Sequence, residues 1–407
     1  MARLPPLRRD LDLMPSPVEG HPGLLIRDPF RYSEATLVVP PALVPLLACF
    51  DGETTEADLR ERLARLTGEP QVSELLRHLV GTLSGSGFLE DDVSAGLRRA
   101  RGEAFAAAPL RDPAHAGSAY PEDAEELGRT LARYLAEDAE ARPPDVALLG
   151  IAAPHVSPEG GFRSYAAAYA ALPESSGDRT VVILGTSHFG APEKFGLTRK
   201  PFVTPLGRTL VDLDVVEGLA RAAPESAVME DYCHAVEHAI EFQVVFLQHV
   251  WGPGVRIVPI LCGPFARSTL EGGRPEDDAG VAAFLDALGG LAAREGPRLY
   301  WVLGVDMAHV GRRYGDGFAA RAGESRLSAV ARRDHQRIER LIEADAAGFW
   351  ALVQEEGDDL RWCGASPLYT FLAAARPAGG RLLRYEQWNI DPESVVSFAG
   401  LAFSPRA

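Results

Sequence analysis

Between residues 146 and 403 the sequence alternates short apolar, β-branched runs with stretches of helical periodicity, and that alternation leaves few folds open. The runs lie at 146–153, 180–184, 256–262, 299–305 and 395–403. Helical patterns precede and separate them, at 123–140, 161–172, 211–222, 235–250 and 278–294, with one long helix around 322–354. Strand and helix in alternation imply an α/β domain whose parallel or mixed sheet is flanked by helices. At about 300 residues such a domain buries roughly three quarters of its unfolded surface and needs no disulfide or structural metal. In open sheets of this kind, ligands gather at the carboxyl ends of the strands.

The first hundred residues read differently. The segment EADLRERLARL (56–66) places Leu59, Leu63 and Leu66 four and three apart. Val72, Leu75, Leu76, Leu79, Val80 and Leu83 make a second helical stripe. Thr54 and Thr55 stand where an N-cap belongs, and Thr67-Gly68 closes the first helix. Residues 24–27 and 35–39 read as short strands, and GSGFLEDD as a turn into a short extended piece. The expected organisation is a small α+β, winged-helix-like domain over 1–100, a linker over 101–112 in an Ala/Arg-rich stretch, and the α/β domain over 113–407.

Composition narrows the functions. With 41 Lys and Arg against 57 Asp and Glu, the formal charge is −16, which argues against a nucleic-acid surface. No run reaches the ~18 apolar residues of a membrane span, and the N-terminal residues lack the apolar core of a secretory signal. Four scattered cysteines without a CxxC pair point to a reducing cytoplasm rather than a disulfide framework. P-loop, GxGxxG, GxSxG and EF-hand patterns are absent, which removes the usual signatures of phosphoryl transfer, nicotinamide chemistry and serine hydrolysis.

What remains is a set of histidines at strand ends. His155 follows LLGIAAP, His188 follows TVVILGTS, and His309 follows WVLGVDMA with Asp306 three residues earlier. A lone loop histidine more often bonds to backbone than to a metal, but three strands ending alike form a pattern. Cys363, in RWCGASPLYTFL, precedes an apolar helix start, where the helix dipole favours a thiolate. A thiolate beside two imidazoles is a soft donor set for zinc, copper(I) or iron(II). Cys262 and Cys49 sit in apolar runs and read as core. In HAVEHAIEFQ, His234, Glu237, His238 and Glu241 share one helix face. That face is either a plain polar face or a set of groups at the rim of the pocket.

At these residues the chain resembles the Memo family, whose bacterial members are called AmmeMemoRadiSam system protein B. The ordered segments are AHAGSAYP (114–121), APH (153–155), LGTSH (184–188), TPLG (204–207), EHAIE (237–241), VPILCG (258–263), VDMAHVGRRYG (305–315) and CGASP (363–367). The resemblance spans about 110–407. It implies a fold like that of the LigB-type class III extradiol dioxygenases, with His155, His188 and Cys363 as metal ligands. It also implies that Asp306, His309 and His238 are the neighbouring catalytic groups and that His115 is structural or at the site rim. Two departures stand out: APHVSPEGGF where the family reads APHAGY, and GVDM where it reads SSDF. More loosely, residues 20–95 resemble PqqD-type domains that bind peptides.

The resulting expectation is a mononuclear metalloprotein holding one metal ion, iron or copper ahead of zinc, and acting as a redox enzyme on a small-molecule or peptide substrate. A peptide partner would dock on the N-terminal domain. Two alternatives are a zinc-dependent hydrolase and a non-catalytic peptide-binding protein.

Overall fold

The computed structural model describes residues 3–16, 18, 20–136 and 148–405. The chain divides into two units, Met1–Ala107 and Ala108–Ala407.

The first unit has an antiparallel sheet of β1 (Asp12–Pro15), β2 (Leu24–Arg27) and β3 (Thr36–Val39), in that order. Three helices follow: α1 (Glu56–Thr67), α2 (Ser73–Gly85) and α3 (Asp92–Ala107). Thr55 caps α1 in a reciprocal box with Asp58, and Gly68 ends it in the left-handed conformation at φ 73°. Leu59, Leu63, Val72, Leu76, Leu79 and Leu83 pack into one core with Ile26, Val39, Cys49 and Phe88. Leu66, the third residue of the expected stripe, is exposed instead. The extended piece after α2 is brief: Leu89 bridges Leu7, and α3 begins at Asp92. Residues 101–107 of the expected linker belong to that helix.

The second unit opens with α4 (Ala124–Ala136) and β4 (Gly150–Ala153). The expected helix residues 137–140 and strand residues 146–147 lie outside the described residues. Next come α5 (Pro158–Tyr169), β5 (Thr180–Thr186), β6 (Phe195–Leu197), β7 (Val203–Thr204), β8 (Gly207–Arg208), β9 (Leu210–Val211) and α6 (Leu213–Ala222). After β10 (Ala227–Met229) a single turn, α7 (Cys233–Val236), precedes α8 (His238–Trp251). The chain continues through β11 (Arg256–Cys262), α9 (Ala266–Glu271), α10 (Ala279–Glu295), β12 (Leu299–Gly304) and β13 (His309–Gly311). It ends with α11 (Ser325–Ile342), α12 (Ala346–Gln354), α13 (Ala365–Ala375), β14 (Gly379–Asp391) and β15 (Ser394–Ser404).

The sheet is mixed and ten-stranded, in the order β10-β6-β11-β5-β12-β4-β15-β13, with β9 beside β11 and β14 beside β15. Its centre, β11-β5-β12-β4, is parallel, and β15 closes one side antiparallel to β4. Alternate residues of the central strands serve two separate cores. Val182, Leu184, Val258, Ile260, Trp301 and Leu303 face α6 and α10–α13. Val181, Ile183, Ile257, Leu261, Tyr300 and Val302 face α4, α5 and α8. A strand covered on both faces must be apolar throughout, which is why these runs stand out in the sequence.

Two expectations change. The long helix around 322–354 is two helices, because Ala344 takes a left-handed φ of 57° and the Asp345 side chain caps α12 by accepting the Gly348 N–H at 2.9 Å. β14 gave no strand signal: its residues RLLRYEQWNID are mostly half-buried, and it forms by pairing along the length of β15. No helix among the described residues is long and apolar enough to cross a membrane.

In the first unit the Arg8 guanidinium, 2% exposed, donates to Asp28 at 2.9 and 3.1 Å, to Asp10 at 3.0 and 3.1 Å, and to the Gly87 carbonyl at 3.0 Å. Removing one partner of a buried ion pair strands the other, at a cost of about 3–5 kcal/mol. Arg8→Ala should therefore lower the melting transition of the first unit in calorimetry of the full chain. The transition of Ala108–Ala407 should stay in place, and a chain starting at Ala108 should melt cooperatively by itself.

Candidate metal centre

The parallel strands β5, β12 and β4 are neighbours, so the residues that follow them reach one rim of the sheet. Pro154-His155 leaves β4, Ser187-His188 leaves β5, and Val305-Asp306 leaves β12. Helix α8 starts on the same rim. Two glycines let it approach: a Cβ on Gly304 would stand 2.1 Å from the Ala239 carbonyl oxygen, and one on Gly185 would stand 2.7 Å from the Ile240 side chain. The first turn of α8 thus lies directly on the strand ends and brings His238 beside His155 and His188.

One potential ligand atom from each of His155, His188 and His238 lies within 4.8 Å of the others. The ring centroids are 4.9 Å apart for 155–188, 5.1 Å for 155–238 and 4.9 Å for 188–238. Each ring is oriented by its Nδ1. His155 Nδ1 donates to the Gly304 carbonyl at 2.9 Å, and His188 Nδ1 donates to the Glu237 carboxylate at 3.0 Å. His238 Nδ1 lies 3.1 Å from the same carboxylate. A proton held on Nδ1 leaves Nε2 with a free lone pair, the arrangement metal-binding imidazoles require.

Glu237 is the hub. It is 1% exposed and also accepts the backbone N–H groups of His188 at 2.8 Å, His238 at 2.9 Å and Ala239 at 3.3 Å. Burial alone would raise this carboxyl, but His188 and His238 outweigh it and hold Glu237 well below the usual carboxylate range. Burial likewise pulls His188 down, yet Glu237 and Cys363 together lift it well above an ordinary imidazole. At His155, full burial and the two neighbouring imidazoles outweigh the pull of the Gly304 carbonyl and Glu237 and push it well below.

Cys363 stands beside this group, with Sγ 3.2 Å from His155 Nε2 and its carbonyl accepting the Thr186 hydroxyl at 2.9 Å. Burial pushes its thiol up, against the opposing pull of His188. Asp306 accepts the His155 N–H at 2.9 Å and lies 3.5 Å from His155 Nε2. Burial raises its carboxyl to about 6. His309 is set apart: its Nδ1 donates to the Met307 and Arg361 carbonyls at 2.9 and 3.1 Å, and its ring stands edge-on to Tyr314. Burial pushes its imidazole down to about 4. His115 lies behind His238, with Nε2 on the Val236 carbonyl at 2.9 Å.

The structure therefore gathers His155, His188, His238, Cys363 and Asp306, and leaves His309 on the flank. His238, expected as a catalytic neighbour, takes a place equivalent to the other two imidazoles. Sequence reasoning saw Glu237 and Glu241 only as members of a polar helix face. Both are buried: Glu241 pairs with Arg111 and accepts the N–H groups of Ala114 and His115 at 3.1 and 3.0 Å. The available signal was the spacing in EHAIE, where carboxylates sit one residue before and three after a histidine on an otherwise apolar helix.

Gly304→Ala forces a methyl into the α8 backbone, and overpacking of this kind costs about 1–3 kcal/mol. Its melting temperature should fall by several degrees. Gly128→Ala on α4, with open space around the new methyl, should leave the melting temperature unchanged or slightly higher, since alanine favours a helix by about 1 kcal/mol over glycine.

Comparison with known proteins places the chain in a family. The family model described as "Memo-like protein" matches residues 111–402. A MEMO1 family protein of Aquifex aeolicus is 27% identical over 383 residues, covering 93% of this chain and 95% of its own, so the likeness extends into the first unit. The MEMO1 family protein TK1477 of Thermococcus kodakarensis is 31% identical over 308 residues, covering 72% of this chain and 99% of its own. The MEMO1 family protein TTHA0924 of Thermus thermophilus is 29% identical, covering 82% and 94%. With more than half its length matched by that model and the aligned regions spanning the histidine rim, the chain belongs to the Memo family.

Proposed function

We propose that this rim holds a single metal ion and that the chain is an iron- or copper-dependent redox enzyme. The observation that carries the reading is the three imidazoles whose Nδ1 atoms are all engaged and whose potential ligand atoms lie within 4.8 Å of one another, with the Cys363 sulfur 3.2 Å from His155 Nε2. His155, His188, His238 and Cys363 are the donors within reach. Nitrogen and sulfur donors of this kind suit iron(II), copper or zinc and exclude the oxygen-loving magnesium and calcium. Such a metal supplies one-electron chemistry and open coordination positions for oxygen or substrate.

The remaining roles belong to the chain itself. Asp306, raised to about 6, holds or releases a proton near neutrality at the edge of the donor set. His309, lowered to about 4, is neutral at pH 7 and, with Nδ1 on backbone carbonyls, offers Nε2 as a hydrogen-bond acceptor on the flank. The side chains of His188 and His238 are 27% and 29% exposed, so substrate enters on their side. We place the protein in the cytoplasm, on its four free cysteines. A peptide partner would pair with an edge of the β1-β2-β3 sheet. One observation favours a second reading: a carboxyl raised to about 6 beside the donor set could serve as general base in a zinc hydrolase.

The deciding measurement is metal analysis of untagged protein purified without added metal, followed by electron paramagnetic resonance under air and under nitrogen. About one equivalent of iron or copper with an oxygen-sensitive signal supports the redox reading. Stoichiometric zinc moves the assignment to the hydrolase. A metal-free protein that still binds peptide moves it to a binding module. Where metal is bound, Glu237→Gln should weaken its affinity by about 10–100-fold, read by chelator competition, because it frees both imidazoles from their common anchor.

Affinity should also depend on pH in a defined direction. His188 must lose its proton to bind metal, and its raised pKa means the proton competes up to a higher pH than for an ordinary imidazole. Binding should strengthen as pH rises through neutrality. In Glu237→Gln the raising charge is gone, so the same rise should occur at lower pH although the plateau is weaker.

A further inference from the structure

Segment 355–363, which leads into Cys363, is unusual backbone. Glu356, Asp358 and Arg361 all have positive φ, at 54°, 55° and 52°. Non-glycine residues keep such conformations only where the surroundings over-determine them. Here the surroundings are one side of α11. Arg333 donates twice to Asp359, at 2.7 and 2.5 Å. Arg337 donates to Asp358 at 2.8 Å and stacks its guanidinium over the Trp362 ring at 5.2 Å. Asp358 in turn accepts the Trp362 N–H at 2.9 Å.

Between these two arginines lies Asp334, which is 0% exposed. Its carboxylate accepts three side-chain donors from three different elements: the Trp362 indole N–H, the Tyr385 hydroxyl and the Ser397 hydroxyl, each at 2.7 Å. Trp362 is the residue before Cys363. Ser397 leads to the other wall of the site. Its hydroxyl accepts the Ala308 N–H at 2.8 Å, its N–H donates to the Ala308 carbonyl at 2.9 Å, and its carbonyl accepts the Met307 N–H at 2.8 Å. Met307 and Ala308 are the two residues between Asp306 and His309. Across the gap the two walls meet directly, the Gly364 N–H donating to the Asp306 carbonyl at 3.0 Å. A buried carboxylate is costly unless its donors are fully in place, so it tolerates few alternative arrangements of the groups it joins.

We propose that Asp334 is a positioning residue of the metal centre. Through Trp362 it sets the Cys363 sulfur against His155, and through Ser397 it fixes the Asp306–His309 stretch beside it. The proposal rests on the reading above only in treating Cys363 as a metal donor. The placement of the sulfur itself can be tested without metal.

The test uses the full chain, metal-free, in four forms: unsubstituted, Asp334→Ala, Asp334→Asn and Trp362→Phe. Each is treated with iodoacetamide, and the modification rate is followed at every cysteine by mass spectrometry. Cys233 and Cys262, buried in the same unit, serve as internal references for general loosening, and buried Cys49 reports on the first unit. Cys363 should react at least about tenfold faster in Asp334→Ala and Trp362→Phe, with the other three unchanged. Asp334→Asn keeps a carbonyl acceptor for the indole and should return most of the protection. Trp362→Phe leaves Asp334 its Tyr385 and Ser397 donors, so it decides the matter if Asp334→Ala does not fold. An unchanged Cys363 rate, or an equal rise at Cys233, Cys262 and Cys363, overturns the proposal, since a purely stabilising contact gives one or the other. Cobalt(II) titration adds a second signal: the thiolate-to-cobalt band should weaken in Asp334→Ala and Trp362→Phe while cobalt is still bound. If the unsubstituted protein lacks that band, Cys363 is not a donor, and the iodoacetamide rates alone decide the role of Asp334.

Discussion

A single buried carboxylate organises the rim. Glu237 sits at the amino end of α8, where the first N–H groups of a helix have no internal partner. It accepts two of them, takes the N–H of His188 from the end of β5, and holds the Nδ1 side of two imidazoles. Each contact depends on the others. An unpaired buried carboxylate costs several kcal/mol, so the helix start, the strand end and both rings are stable only together. Capping and ring orientation are here one interaction.

That interaction needs a platform. The central strands are apolar on both faces, so polar side chains can emerge only where the strands stop. The end residues of β4, β5 and β12 are small or glycine, which lets α8 and the segment before α13 come down onto them. The departure APHVSPEGGF folds within this frame. Pro158 occupies the start of α5, Gly160 lies against the Trp388 indole, and Val156 joins an apolar cluster with Val396, Phe398, Trp388 and Tyr314. One flank of the rim is therefore apolar. In GVDM, Gly304 and Val305 stand in place of the two serines and Met307 in place of the phenylalanine; Val305 and Met307 are both fully buried in the core.

The far side of the rim shows a different economy of contacts. Cys363 follows no strand; it precedes α13 and, apart from the Thr186 hydroxyl on its carbonyl, depends on a loop whose conformation its own residues disfavour. Three polar residues of α11, at 333, 334 and 337, hold it in place. The two sides of the site are thus fixed by different physics, one by sheet geometry and the other by a buried polar network.

Much of this was legible beforehand. The β11 run at 256–262 matches its strand residue for residue, and His155, His188 and Asp306 follow strands as the alternation implied. Apolar periodicity is a local signal, and a strand buried on both faces writes it strongly. The caps of α1 were legible for the same reason. β14 was not, because its half-buried residues follow no clean period and its strand exists only through pairing with β15. Nor was the break at Ala344, which rests on a left-handed residue the sequence does not mark. The equivalence of His238 with His155 and His188, and the depth of Glu237 and Asp334, were decided by tertiary structure alone. A carboxylate on a helix looks the same in sequence whether it meets water or the backs of two imidazoles. Only the packing of α8 and α11 against the sheet determines which of these it meets.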